Sequence, residues 1–226
     1  MHLLYEGPSL IDGGPIVALA SGIERPSTNT KTGPMVQTYI LRSDTNPITA
    51  WKQGQDASIC GDCIHRKGTC YVSLVHGTSS VYGAYAKGSY KVADDLTELG
   101  KGRTIRLGAY GDPAAVPIKT WDEFLAKARG WTGYTHSPEV QPDLRKYCQA
   151  SCETEAQAHE LQVLGWKTYR TKTASAPVLD NEIYCPSASG VSCYDCRLCN
   201  GRKKNIAIDV HGLSHKIVSF NKTYGD

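Results

Sequence analysis

The sequence predicts an α/β protein organised as a partial, open parallel β/α barrel. Three observations lead there. Short runs rich in β-branched and aromatic residues recur along the chain, and capped amphipathic segments separate several of them. The length, 226 residues, falls short of the about 250 needed for a full eightfold barrel. Strands that alternate with helices pair in parallel, because each crossover returns the chain to the same edge. Hydrophobic residues make up 40% of the chain and charged residues 21%, enough for a real core and too ordered a composition for wholesale disorder. A net charge of +3 gives no general polyanion-binding signal.

The elements follow in order. Ile16–Ala20 and Gln37–Leu41 read as strands, separated by a polar loop from Arg25 to Pro34 that contains Asn29, Lys31, Thr32 and Gly33. Tyr71–Val75 is a predicted strand, followed by Ser79–Lys87 and a mixed-charge stretch through Asp94, Asp95 and Glu98. Thr104–Tyr110 is a strand that ends in Gly111-Asp112-Pro113. Residues Thr120–Arg129 predict a helix with Thr120 as N-cap and Asp122 and Glu123 in its first turn. Trp131–His136 and Lys146–Ser151 are the next strands. Thr154–Leu164 is a second helix, stopped at Gly165, and Trp166–Arg170 and Asn205–His211 are the last strands. We expect a single domain, 1–226: N-terminal strands and loops (1–58), the barrel core (59–180), and a four-cysteine segment with the last strand (181–226).

In such architectures functional groups collect where strands end. Asp112, His136, Glu153, Arg170 and His211 all stand at or just past predicted strand ends and are candidates for one pocket.

Nine cysteines are too sparse for a disulfide-stapled mini-protein and too many for packing alone. The opening Met1–Glu6 has no basic stretch and no long apolar run, and Ile16–Ala20 is too short to cross a bilayer. A cytoplasmic location is therefore expected, where thiols remain free for metals. Cys60, Cys63 and Cys70 form C-x2-C-x6-C. Three thiolates suit a cluster with one exposed iron, or a zinc completed by His65 or a distant residue. Cys185-Pro186 followed by Cys193, Cys196 and Cys199 gives C-P-x6-C-x2-C-x2-C. Consecutive x2 spacers carry one segment round three corners of a cubane, and the Cys-Pro supplies a fourth. Iron–sulfur is favoured there and zinc is the alternative. Cys148 and Cys152 read as buried thiols. Arg202-Lys203-Lys204 offsets thiolate charge or, alternatively, offers a nucleic-acid patch.

Taken in order, these blocks resemble a widespread family of cysteine-rich bacteriophage proteins over roughly residues 25–212. The blocks are Asn29…Lys31-Thr32-Gly33, Ile59–Cys63, Ile105–Pro113, Trp131–His136, Gly165–Arg170 and the closing four cysteines. More distantly the chain is similar to radical S-adenosylmethionine (SAM) enzymes. Those also carry a three-cysteine loop after the first strand of a partial barrel and a glycine-acidic-proline turn after the second. That resemblance implies a radical-SAM-like fold, one or two 4Fe–4S clusters, and SAM as a ligand contacted by Asp112, His136 and Arg170. The chain departs from the superfamily in its C-x2-C-x6-C spacing and in Asp112 where glutamate is usual.

The expected function is thus a phage-encoded iron–sulfur protein acting in the cytoplasm of an infected cell, redox-active or SAM-dependent, with an unidentified small-molecule partner and no membrane partner. Two rivals come from other classes. One is a non-catalytic module, stabilised by zinc or a cluster, that binds host protein or nucleic acid. The other is an electron carrier or redox sensor.

Overall fold

The computed structural model describes residues 1–66 and 68–225; Lys67, within the three-cysteine segment, lies outside them. Strands β1 (His2–Pro8), β2 (Pro15–Ser21) and β3 (Val36–Arg42) form an antiparallel meander. β2 is central, and Ile16 to Ala20 are fully buried, which explains why its sequence is an unbroken apolar run rather than an alternating one. The two-residue β4 (Lys91–Val92) pairs with β1, and β5 (Thr104–Tyr110) runs parallel to β3.

From β3 onward the pairing is parallel. β6 (Gly130–Thr132) pairs with β5, and β7 (Tyr134–Thr135) pairs with β8 (Gln149–Cys152). Next come β9 (Thr168–Lys172), β11 (Asn205–Asp209) and, at the far edge, β10 (Glu182–Tyr184). One segment, Gly130–Thr135, therefore serves both sheets, and the handover falls at Gly133. Its N–H donates to the carbonyl of Cys199 and its carbonyl accepts from Gln149 N–H. A Cβ there would stand 2.6 Å from Cys148 Sγ, so only glycine lets the two sheets meet this closely. The loop before β3 meets the segment after β10: Cys193 and Tyr194 donate backbone N–H groups to the carbonyls of Lys31 and Thr32.

Helices α1 (Pro47–Gln53), α2 (Ala57–Cys60), α3 (Ser79–Ala86) and α4 (Leu96–Gly100) fill the connection from β3 to β5. The α5 helix (Ile118–Leu125) leads from β5 to β6 and α6 (Glu155–Val163) from β8 to β9; α7 (Cys193–Cys196) and α8 (Ser214–Tyr224) lie in the C-terminal part. The α/β class is as expected. The α6 boundaries match the sequence reading, because Thr154 and Gln157 close a reciprocal capping box.

Other expectations need correction. Helix α5 begins at Ile118 after Pro117, so Thr120 is a buried interior residue rather than the cap. The helix is placed by Trp121, Phe124 and Leu125, which are buried in the main core. Tyr71–Val75 is not a strand. The chain there is irregular and enters a π-helical turn at Leu74–Thr78. Val72 and Leu74 pack on the core while Tyr71 and Val75 are exposed. The alternation is real, but no neighbouring strand takes up its backbone groups, and strand propensity is expressed only on a pairing surface. The predicted strand at Lys146–Ser151 starts at Gln149, after a 3₁₀ turn over Pro142–Lys146. No helix among the described residues is long and apolar enough to cross a membrane.

Candidate functional site

Side chains from β5, β7, β9 and the segment after β11 wall two adjoining cavities. The larger cavity, about 160 Å³, opens at the C-terminal ends of the strands. Cys60, Cys63, Cys70, Asp112 and His136 are among the residues lining it. The smaller, about 60 Å³, is lined by all four cysteines of the second set. Arg106, Tyr134, Tyr169, Tyr71 and His211 line both. A layer of arginine, tyrosine and histidine thus separates the two cysteine sets. Tyr134 and Tyr169 form its centre, their rings 4.4 Å apart.

None of the nine cysteines is disulfide-bonded. Burial, the neighbouring thiol Cys63, and then Asp56 and Cys70 push the Cys60 thiol well above its ordinary range. Burial first, and then Cys185, Cys193 and Cys196, do the same to Cys199. Each set is therefore mutually close, and a cation is what would let several of its members ionise together. Among the described residues, the one group of three or more His, Cys, Asp or Glu donor atoms lying mutually within 4.8 Å is His65, His136 and Glu153. Four thiolates on one zinc would be about 3.8 Å apart, given Zn–S bonds of about 2.3 Å, whereas a cluster interposes several metal and sulfide ions.

Both sets are built locally by the backbone. Cys60 ends α2, and Gly61 adopts φ +54° to turn the chain toward Cys63. In the second set, Cys185 donates its N–H to Ala207 O, which holds it against β11. Arg197 adopts the left-handed conformation at φ 50°, the one non-glycine residue among those described that does so. The reversal lets Cys199 follow Cys196 back toward Gly133, and a non-glycine residue in that region is held by its surroundings.

The strand-edge candidates separate into three kinds. His136 and His211 face the larger cavity. Asp112 also borders it, but its carboxylate is engaged by the protein: Oδ1 accepts from Ala114 N–H at 2.9 Å and Oδ2 from His136 N–H at 2.7 Å. It caps the turn after β5 and ties that turn to the end of β7. Burial keeps its pKa raised despite those donors. Glu153 lies between two imidazoles, its Oε1 3.1 Å from His65 Nε2 and 3.4 Å from His136 Nε2. Burial opposes its charge, but the neighbouring imidazoles of His136 and His65 hold its pKa below the usual carboxylate range. Burial likewise opposes protonation of His136, yet Cys63 and Glu153 outweigh it and raise its pKa.

Arg170 is not brought to the cavity. Its guanidinium makes a buried two-pronged pair with Glu182, at 2.8 and 2.6 Å, and a third bond to Pro177 O. Cys148 and Cys152 are buried as expected and belong to neither set. Arg202 is likewise committed: its guanidinium stacks over Trp131 at 4.9 Å, and its Nε donates to Lys146 O. That leaves Lys203 and Lys204 as the exposed, unstacked part of the basic run.

Sequence reading did not foresee the Arg106–Tyr134–Tyr169 layer or the meeting of His65 with Glu153. Nor did it foresee α8, whose Phe220 is fully buried beside His65 and whose Lys216 donates to Cys70 O. A signal for the layer exists in the alternation of Arg106 with the buried Ile105 and Leu107 along β5. No family model matches the chain, and no curated protein or solved structure matches it significantly.

Proposed function

We propose that the chain is an iron–sulfur protein on a radical-SAM-like partial barrel, working in the reducing cytoplasm of a phage-infected cell. Cys60, Cys63 and Cys70 would hold one 4Fe–4S cluster at the cavity mouth, leaving one iron without a protein thiolate. Cys185, Cys193, Cys196 and Cys199 would hold a second with every corner filled. Such groups supply one-electron redox chemistry. The protein's part is to bury the thiols, to offer a cavity beside the incomplete set, and to separate the two sets by the tyrosine–arginine layer.

The observation that carries this reading is the arrangement itself. The two cysteine sets line separate cavities, and those cavities share Tyr71, Arg106, Tyr134, Tyr169 and His211 as common wall residues. SAM is the ligand that resemblance implies for the larger cavity. Both Asp112 oxygens already accept a backbone N–H, so a ligand amino group there would share the carboxylate with the protein.

Iron, acid-labile sulfide and zinc are to be measured on protein purified anaerobically, together with absorption and electron paramagnetic resonance (EPR) spectra. Wild type should hold iron and sulfide in equal amounts. Cys60→Ala should lose one cluster signal and Cys196→Ala the other. Zinc without sulfide would overturn the cluster reading and favour a zinc-stabilised module. Retained clusters with no SAM binding by the reduced protein would remove SAM alone, leaving an electron carrier or redox sensor.

A further inference from the structure

We propose that His65, His136 and Glu153 form a mononuclear site for a divalent transition-metal cation, adjoining the three-cysteine set but using none of its thiols. Its three donors come from three places in the chain. His136 follows β7, Glu153 follows the adjacent parallel strand β8, and His65 sits in the loop after α2. Their separations of 3.1 and 3.4 Å about Glu153 Oε1 match the spacing of neighbouring ligands around one ion. Bonds of about 2.0–2.1 Å in octahedral or tetrahedral geometry put such donors about 2.8–3.4 Å apart.

The surroundings are those a ligating set needs. His65 Nδ1 lies 2.5 Å from Thr69 Oγ1. With that nitrogen donating to the hydroxyl, the lone pair of Nε2 points at the shared centre, the usual way an outer partner selects the tautomer of a metal-binding histidine. His136 is held through its backbone N–H by Asp112 Oδ2. Glu153 is held by its own N–H, which donates to Gln157 Oε1 at 3.0 Å as part of the α6 cap.

One atom stands out as incomplete. His136 Nε2 is shut off from solvent and has no hydrogen-bond partner of good geometry, a state that costs free energy in a native fold. A cation at the centre would satisfy it. Phe220 stacks on His65 at 6.1 Å and gives the site an apolar wall, which strengthens charge interactions there.

Two imidazoles and one carboxylate select cations of intermediate hardness, such as zinc, iron(II), cobalt(II) or manganese(II), rather than a thiolate-bound cluster. Three protein donors leave coordination positions open. His65 and His136 both line the larger cavity, so an oxygen-bearing small molecule there would have access to them.

Manganese(II) is the probe of choice, because it binds nitrogen and oxygen donors and competes poorly for thiolates. Protein as purified is titrated with Mn²⁺, and the free ion is counted by its EPR signal. Wild type should bind one Mn²⁺ per chain. Glu153→Gln and His65→Gln should each weaken binding tenfold or more, whereas Cys60→Ser should leave one ion bound. Far-ultraviolet circular dichroism before addition checks that each variant is folded. If Glu153→Gln unfolds, the loop variant His65→Gln decides the result. Absence of saturable binding, indifference to both substitutions, or loss of the ion in Cys60→Ser would overturn the proposal. Because cluster content is measured separately, its outcome does not depend on the iron–sulfur reading.

Discussion

The two cysteine-bearing segments differ in how the rest of the protein holds them. The first, from Cys60 to Cys70, is fastened mainly to its own neighbourhood. Within it the backbone bonds are local, such as Cys63 to Cys60 and Cys70 to His65. Its chief outside ties are side chains: Arg66 to Asp56, His65 to Glu153 and Lys216 to Cys70 O. The second segment, Cys185 to Gly201, is stitched by its backbone to distant elements: Cys185 to β11, Cys193 and Tyr194 to the loop before β3, and Cys199 to Gly133. A backbone-anchored site is preformed, while one held by side chains can adjust when something binds. That division gives the second set a fixed frame and leaves the first, beside the larger cavity, freer to adjust.

The largest blow to the anchored side should come through Glu182. It lies on β10, three residues before Cys185, and its side chain is fully buried against Arg170. Removing one partner leaves an uncompensated buried charge, at a cost of about 3–5 kcal/mol. Glu182→Ala should lower the denaturation midpoint accordingly in chemical unfolding, and should release metal from the four-cysteine set before the three-cysteine set. Equal loss from both would erase the proposed difference.

Paired glycine substitutions sharpen the same contrast at smaller cost. Gly201 closes the anchored segment with φ +76°, and a Cβ there would meet the Arg145 carbonyl at 2.4 Å. Gly201→Ala should destabilise by about 1–3 kcal/mol through strain and crowding. Gly68, in the first segment, has nothing within 4 Å of its would-be Cβ. Gly68→Ala should stay within about 0.5 kcal/mol of wild type. Thermal unfolding of the two variants side by side measures this.

The smallest expected effect tests whether the wall behind Glu153 stands apart from both segments. Thr154→Ala removes the side-chain half of the α6 capping box, for about 1 kcal/mol. It should lower stability by that amount without altering the metal content of either cysteine set. A changed metal content would show that the cap positions more than its helix.

Much of this was legible in local pattern. Helix α6 announced itself because its cap residues act within four positions of each other. Strand β2 did so because burial on both faces demands continuous apolar residues. The cysteine sets were legible for the same reason, since x2 spacers converge whatever lies around them. The misreadings are equally physical. Tyr71–Val75 has strand chemistry but no partner, and partners are a long-range matter. Arg170 reads as a strand-end ligand contact, yet whether an arginine faces a cavity or a carboxylate depends on Glu182, on another strand.

The sequence by itself therefore determined which cysteines line one cavity together and that strands and helices alternate, because both follow from spacing along the chain. Only the tertiary structure decided which way those groups face. The pairing of β7 with β8 set His136 beside Glu153. The glycine handover at Gly133 joined the two sheets, and α8 brought Phe220 against His65. Such meetings depend on strand order and register, which are settled by packing across the whole molecule rather than by any short stretch of it.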